Sequence, residues 1–234
     1  MTYYHGGKAF TGKKIAPIIN KLLERDEIEG YIEPFCGMLG VYRRINILPK
    51  KKYYASDVNK SLILMWKRKK KFDPNMTISK EEYKKIKESK SSALKGLVGF
   101  AFSYRGIYFG SYDQKKRPID IPNQVNNVNE IKKRLKQVQF KQGDYKMYKP
   151  NEIKNMIIYC DPPYKDTTCT FYEETGKKCD KFNHDEFYDW CREMSRNNIV
   201  LVSEYQAPSD FKCIWENTFK YRLAKKGIER LYLV

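Results

Sequence analysis

Apolar residues recur along this chain in two rhythms. Ile15, Ile18, Ile19, Leu22 and Leu23 fall at i, i+3, i+4, i+7 and i+8, one face of a helix. Pro17 fits that helix only in its first turn, where a missing N–H costs nothing. Tyr31-Ile32, after Gly30, opens a short strand running into Glu33-Pro34-Phe35-Cys36-Gly37-Met38-Leu39-Gly40. A helix is predicted from about Gly40 to Ile47, ended by Pro49 and lysines. Tyr53 to Asp57 reads as a second strand ending in an acid, and Ser61 to Lys71 as a helix with Leu62, Ile63, Met65 and Trp66 inward. Ser79-Lys80-Glu81-Glu82 has the form of a capping box and opens a helix to about Lys90. The aromatic, glycine-punctuated stretch 99–112 reads as a packed loop or a pair of short strands.

Helix and strand alternate again after residue 125. Val128, Ile131, Leu135 and Val138 mark a helix leading to a strand near 138–141. Met156 to Cys160 is a continuous apolar run, as expected for a buried parallel strand. Phe187, Trp190, Cys191 and Met194 form another helical face. Ile199 to Val202 is a second buried strand, ending at Ser203-Glu204-Tyr205, and Ile228 to Val234 suits a final strand. This alternation predicts an α/β fold: a doubly wound, mainly parallel sheet.

Composition sharpens the picture. The chain has 234 residues, enough for one domain with an insertion. No run of 18 or more uncharged apolar residues occurs, so no membrane partner is expected, and Met1 to Lys14 lacks an apolar signal core. Lys+Arg number 46 against 28 Asp+Glu, a net charge of +18. That excess points to a polyanion, most simply nucleic acid; a solvated basic surface is the other reading charge alone allows. Residues 60–120 hold 16 Lys+Arg against 6 Asp+Glu, so +10 of the +18 falls in about a quarter of the chain. The expected organisation is a catalytic domain of 1–59 and 126–234 with a small, mostly helical insert at 60–125. Six cysteines occur without a CxxC pair, and only two histidines, His5 and His184. Zinc spacing is absent and no metal is expected; the cysteines read mostly as small buried hydrophobes, with Cys169 and Cys179 the candidates for a structural pair.

The strongest chemical signal is Asp161-Pro162-Pro163-Tyr164 directly after an apolar strand. Two prolines cannot continue a central strand, so the chain leaves the sheet in a rigid turn. That turn holds an acid and an aromatic ring at the strand's C-terminal edge, where open α/β sheets bind ligands. The second signal is the glycine loop at 34–40 followed by Asp57, twenty residues after Gly37. An acid there suits ribose hydroxyls, because a carboxylate accepts two O–H donors. The loop is not G-x-G-x-x-G and no Walker lysine follows, which argues against NAD and ATP.

Together these motifs resemble the Dam-type, D12-class DNA adenine-N6 methyltransferases. The resemblance also covers Tyr4-His5-Gly6-Gly7-Lys8, Gly143-Asp144-Tyr145, Ser203-Glu204-Tyr205 and the Arg105–Tyr108 segment, in order along nearly the whole chain. It implies a Rossmann-like sheet of the S-adenosylmethionine-dependent methyltransferase type, S-adenosylmethionine as methyl donor, and the N6 amine of a flipped-out adenine in double-stranded DNA as acceptor. It assigns Asp161, Pro162, Pro163 and Tyr164 to catalysis. Phe35, Gly37, Asp57 and Asp161 would line the cofactor pocket, with Tyr4 and Lys8 near its methionine end and Asp144 and Tyr145 near its adenine. Arg105 would face DNA; Tyr108 would pack beside the extruded base's neighbours or support the loop. Met38 and Leu39 stand where the family has smaller residues, which predicts crowding at the cofactor's methionine end. Cytosine N4, RNA adenine and a catalytically silent DNA-binding subunit are the competing readings. The implied location is the cytoplasm or nucleoid, with cellular and phage or viral origin both open.

Overall fold

The computed structural model describes residues 8, 10–113, 120–165, 182–220 and 226–234. The two continuous apolar runs form the middle of its sheet. β1 (Gly30–Glu33) and β4 (Met156–Cys160) are parallel neighbours, buried at every residue. β2 (Lys52–Asp57) and then β3 (Gln139–Gln142) extend the sheet beyond β1, and β5 (Ile199–Glu204) extends it beyond β4, all parallel. An antiparallel pair, β6 (Lys212–Lys220) and β7 (Lys226–Leu233), ends the sheet, giving the order β3-β2-β1-β4-β5-β7-β6. The predicted mainly parallel, doubly wound sheet is therefore what the chain forms.

Side chains of β4 alternate between two cores, as the two-residue strand period requires. Ile157 and Tyr159 join one core with α1 (Gly12–Leu23), α2 (Lys60–Lys67), α4 (Ala93–Ala101) and α5 (Asp120–Arg134). Ile158 and Cys160 join the other with α6 (His184–Ser195). The basic segment is continuous with the first core: Phe72, Tyr83 of α3 (Lys80–Glu88), Leu97 and Phe109 share it with Ile15 and Tyr31. Trp66 of α2 stacks on Phe140 of β3 and donates Nε1–H to the Gly37 carbonyl at 3.0 Å, so the start of the 60–125 segment lies on the sheet itself.

Three expectations need correction, and two elements, α4 and β6, were not foreseen. The helix expected at 40–47 is a single 3-10 turn, Tyr42–Arg44; Val41, Tyr42 and Ile45 reach the core from irregular backbone. The helix expected to run to Lys71 stops at Lys67 with Arg68 extended, because five consecutive cations repel along a helix. Pro17 lies in the second turn of α1, not the first. Its missing hydrogen bond orphans only the carbonyl of Lys13, and both residues are exposed to water. α4 was hidden by its glycines: a Cβ on Gly96 would fall 2.2 Å from the Ser61 carbonyl oxygen, so the residue that lowers helix propensity is the one that lets α4 pack on α2. β6 is an exposed edge strand with no burial rhythm to read. The capping box is present, with Ser79 and Glu82 bonded reciprocally at 3.1 and 2.7 Å.

Candidate active site

The sheet order reverses between β1 and β4, the switch point at which open α/β sheets bind ligands. The C-terminal edges there carry the glycine loop after β1, Asp57 at the end of β2, Asp161 after β4 and Glu204 at the end of β5. β7 runs antiparallel to β5, so its first residues return to this same edge and deliver Glu229.

Lys8 joins these strands. Its Nζ lies 2.7 Å from Oδ1 of Asp161 and 3.0 Å from Oε1 of Glu229, with all three side chains largely shielded from water. The same ammonium donates to the Tyr164 hydroxyl and sits 4.4 Å from the centre of that ring. Tyr164 in turn donates to Oε1 of Glu229 at 3.1 Å, and its ring meets Tyr205 edge-on at 4.6 Å. Gly40 makes this possible. A Cβ there would fall 2.9 Å from the backbone nitrogen of Lys8, so only glycine lets Lys8 lie this close to the loop.

Burial governs the charges. It raises the Asp161 carboxyl to about 6, against the pull of Lys8; the Glu229 charge pushes in the same direction as burial. Burial raises Glu204 to about 7, although its oxygens accept backbone N–H groups from Tyr205 at 2.8 Å and Lys165 at 3.1 Å. Glu33 is pushed well above the usual carboxylate range by burial, and Tyr31 donates its hydroxyl to Oε2 at 2.9 Å. For Lys8, burial opposes the charge, but Asp161 and Glu229 outweigh it and raise the ammonium's pKa. The Pro162-Pro163 turn is buried and pinned by His184, whose Nε2 donates to the Pro163 carbonyl at 2.8 Å.

On the β2 side, the half-buried Asp57 carboxylate orders the glycine loop. Oδ2 accepts the Gly37 N–H at 3.0 Å, and Oδ1 accepts the Asn59 N–H at 3.0 Å. Each oxygen retains a lone pair for a ribose hydroxyl, so the donor set fits an adenosine-type cofactor. The Gly143 N–H bonds to the Asp57 carbonyl at 3.0 Å, which brings Asp144 and Tyr145 alongside. Asp144 is exposed, and its Oδ1 accepts the Lys146 N–H at 3.0 Å. Tyr145 is buried, with ring centres 5.6 Å from Phe35, 5.3 Å from Phe187 and 5.1 Å from Trp190. Phe35 is half-buried at the rim of this aromatic cluster.

Met38 and Leu39, expected to crowd the cofactor's methionine end, both pack into the core, Leu39 completely and at φ 57°. Arg105 is exposed, at φ 53°, with its guanidinium 5.3 Å from the Tyr104 ring centre. Tyr108 is buried against Phe100 and Phe109, so of its two expected roles the packing describes loop support. Tyr4 lies outside the described residues, as do Cys169 and Cys179. Cys36, Cys160 and Cys191 are buried, while Cys213 is exposed. Among the described residues no group of three His, Cys, Asp or Glu side chains could hold a metal ion, and no helix is long and apolar enough to cross a membrane.

The sequence motifs did not point to Glu229 or His184; Lys8, expected near the cofactor's methionine end, contacts Asp161. Nothing in its immediate sequence singles Glu229 out, since β7 also carries Lys226 and Arg230.

The sequence profile of the D12 class N6 adenine-specific DNA methyltransferases matches residues 4–96 and 102–229. Among characterised proteins, the chain is 25% identical to "Type II methyltransferase M.MjaIII" of Methanocaldococcus jannaschii, over 77% of this chain and 74% of that protein. Among solved structures it is similar to the rRNA methyltransferase aviRa of Streptomyces viridochromogenes, with TM-score 0.42, 12% identity and coverage of 96% of this chain and 83% of that one. It is also similar to precorrin-6y C5,15-methyltransferase of Geobacter metallireducens GS-15, with TM-score 0.39, 6% identity and coverage of 97% and 90%.

Proposed function

The chain belongs to the D12 class N6 adenine-specific DNA methyltransferase family, and from that premise we propose how its own residues carry out the transfer. The protein is a site-specific DNA adenine-N6 methyltransferase. We take its substrate to be duplex DNA from which the target adenine is extruded, since a stacked base cannot reach an enzyme pocket. S-adenosylmethionine, the donor implied by the family, supplies a methyl group on a positively charged sulfur.

The exocyclic amine of adenine is a poor nucleophile because its lone pair is delocalised into the ring. It has two N–H donors. The Asp161 carboxylate and the Pro162 carbonyl are the two acceptors we assign to them. Together they favour a tetrahedral nitrogen and stabilise the positive charge that develops on it. The rigid Pro162-Pro163 turn, tied to His184, fixes the spacing of those acceptors, so alignment carries much of the rate. Tyr164 offers its ring for stacking on the extruded base. Phe35, Gly37 and Asp57 hold the donor, with Asp144 and Tyr145 beside its adenine end. The 60–125 segment grips the duplex, and Arg105 contacts a base edge or phosphate.

The observation that carries this reading is the ion pair at Asp161. The Asp161 carboxyl, raised to about 6 by burial against the pull of Lys8, is ionised at neutral pH, so it accepts the amine's hydrogen bond and can take the N6 proton released as the methyl is transferred, then pass it to water. Asp161→Ala should abolish methyl transfer while calorimetry still shows S-adenosylmethionine binding. Retained transfer in that variant would overturn the assignment.

A further inference from the structure

Away from the site, a cavity of about 770 Å³ opens along the free edge of the sheet at β3. The end of α2 and the loop after it supply Lys67, Arg68, Lys69 and Lys71 to its walls. The last turn of α5 and its exit supply Lys132, Lys133 and Lys136. No carboxylate lines it. The floor is apolar, built from Trp66 and Phe140 with Leu135 and Val138.

This is a constructed groove and not merely a solvated lysine run. Buried Asn129 of α5 clamps the loop by both its amide atoms: Oδ1 accepts the Phe72 N–H at 3.0 Å, and Nδ2 donates to the Phe72 carbonyl at 2.9 Å. The clamp sets the Phe72 ring between two cations, with Arg68 and Lys132 each 4.9 Å from its centre. Lys132 also donates to the Lys70 carbonyl at 3.0 Å, which fixes its ammonium. Some basic side chains elsewhere on the surface pair with acids, as Lys52 does with Glu29 and Arg192 with Asp210. Among the described residues none of these seven cations is in an ion pair. Burial, and then the neighbouring Arg68, depress the Lys132 ammonium.

We propose that this groove is a second nucleic-acid contact, which holds the phosphate backbone of duplex DNA outside the segment that enters the catalytic pocket. The charge calls for a polyanion, and the size and openness suit a backbone strand rather than a single small anion. The location separates it from the catalytic turn after β4: β3 stands three strands from β4, about 14 Å across the sheet. Arg105 is not among its lining residues. The inference rests on the reading of the protein as a duplex-DNA methyltransferase, but its test does not depend on methyl transfer.

The test compares two triple variants of equal charge loss: Lys132→Gln, Lys133→Gln and Lys136→Gln in the groove, and the exposed Lys21→Gln, Lys154→Gln and Lys212→Gln elsewhere. Fluorescence anisotropy reads binding to a 40-base-pair duplex across a salt series. Each lost phosphate contact removes about 0.9 from the slope of log K against log salt, so the groove variant should lose up to about 2.7. The control variant should keep the wild-type slope. At saturating DNA both variants should retain the wild-type turnover, which shows that they fold. Equal slope loss in both variants, no loss in either, or a loss seen only with single-stranded DNA overturns the proposal. Normal groove binding by a protein that methylates no adenine would instead overturn the catalytic reading alone.

Discussion

Nζ of Lys8 sits 2.7 Å from Oδ1 of Asp161, so the carboxylate assigned to the target amine already carries a cation before any base arrives. Oε1 of Glu229, 3.0 Å from the same ammonium, gives Lys8 a second partner when Asp161 turns to the amine. The two carboxylates therefore compete for one lysine, and that competition sets how freely Asp161 can accept a hydrogen bond.

Lys8→Met should raise the pH at which activity is lost. Asp161 must be ionised to work, so the rate rises with pH through about 6 in the wild type. Lys8 is what lowers that value against burial; without it the acid limb of the single-turnover pH profile moves to higher pH. The variant also leaves two shielded carboxylates unpaired, a loss of about 3–5 kcal/mol of stability by denaturant unfolding.

Glu229→Gln should move the acid limb the other way. The Glu229 charge raises Asp161, so removing it lowers the pH at which Asp161 ionises. Lys8 is then left with Asp161 as its only carboxylate, and turnover at neutral pH should fall although more Asp161 is ionised. A limb that moves upward in this variant would exclude the competition.

Asp57→Ala should raise the KM for S-adenosylmethionine by at least about tenfold, the equivalent of one charge-assisted hydrogen bond. Turnover at saturation should change far less, because Asp57 orders the Gly37 loop and does not touch the acceptor amine. Separate titrations of cofactor and DNA check this.

Gly96→Ala should destabilise the protein by about 1–3 kcal/mol despite the better helix propensity of alanine. The added methyl meets the Ser61 backbone, which cannot rotate away. Urea midpoints of the two proteins decide it.

The parts of this molecule visible in its sequence are those whose burial is periodic. β4 and β5 are continuous apolar runs, α1 and α6 keep a clean apolar face, and the Asp161-Pro162-Pro163-Tyr164 turn announces a strand end by chemistry alone. The hidden parts are set by tertiary contact. β6 is an exposed edge held by pairing, α4 is a glycine-bearing helix that exists because it packs on α2, and Met38 and Leu39 turn inward through an unusual backbone. In the site, Asp57 and Asp161 were legible as acids at strand ends. Glu229 was not, since nothing local reveals that an antiparallel last strand returns an acid to the edge where the parallel strands finish.

The most direct test is chemical. Incubation of the protein with labelled S-adenosylmethionine and unmethylated duplex DNA, followed by digestion and mass spectrometry, identifies the modified nucleoside. N6-methyladenine, lost in Asp161→Ala, is the expected product. N4-methylcytosine, or N6-methyladenine made equally well by Asp161→Ala, would contradict the account.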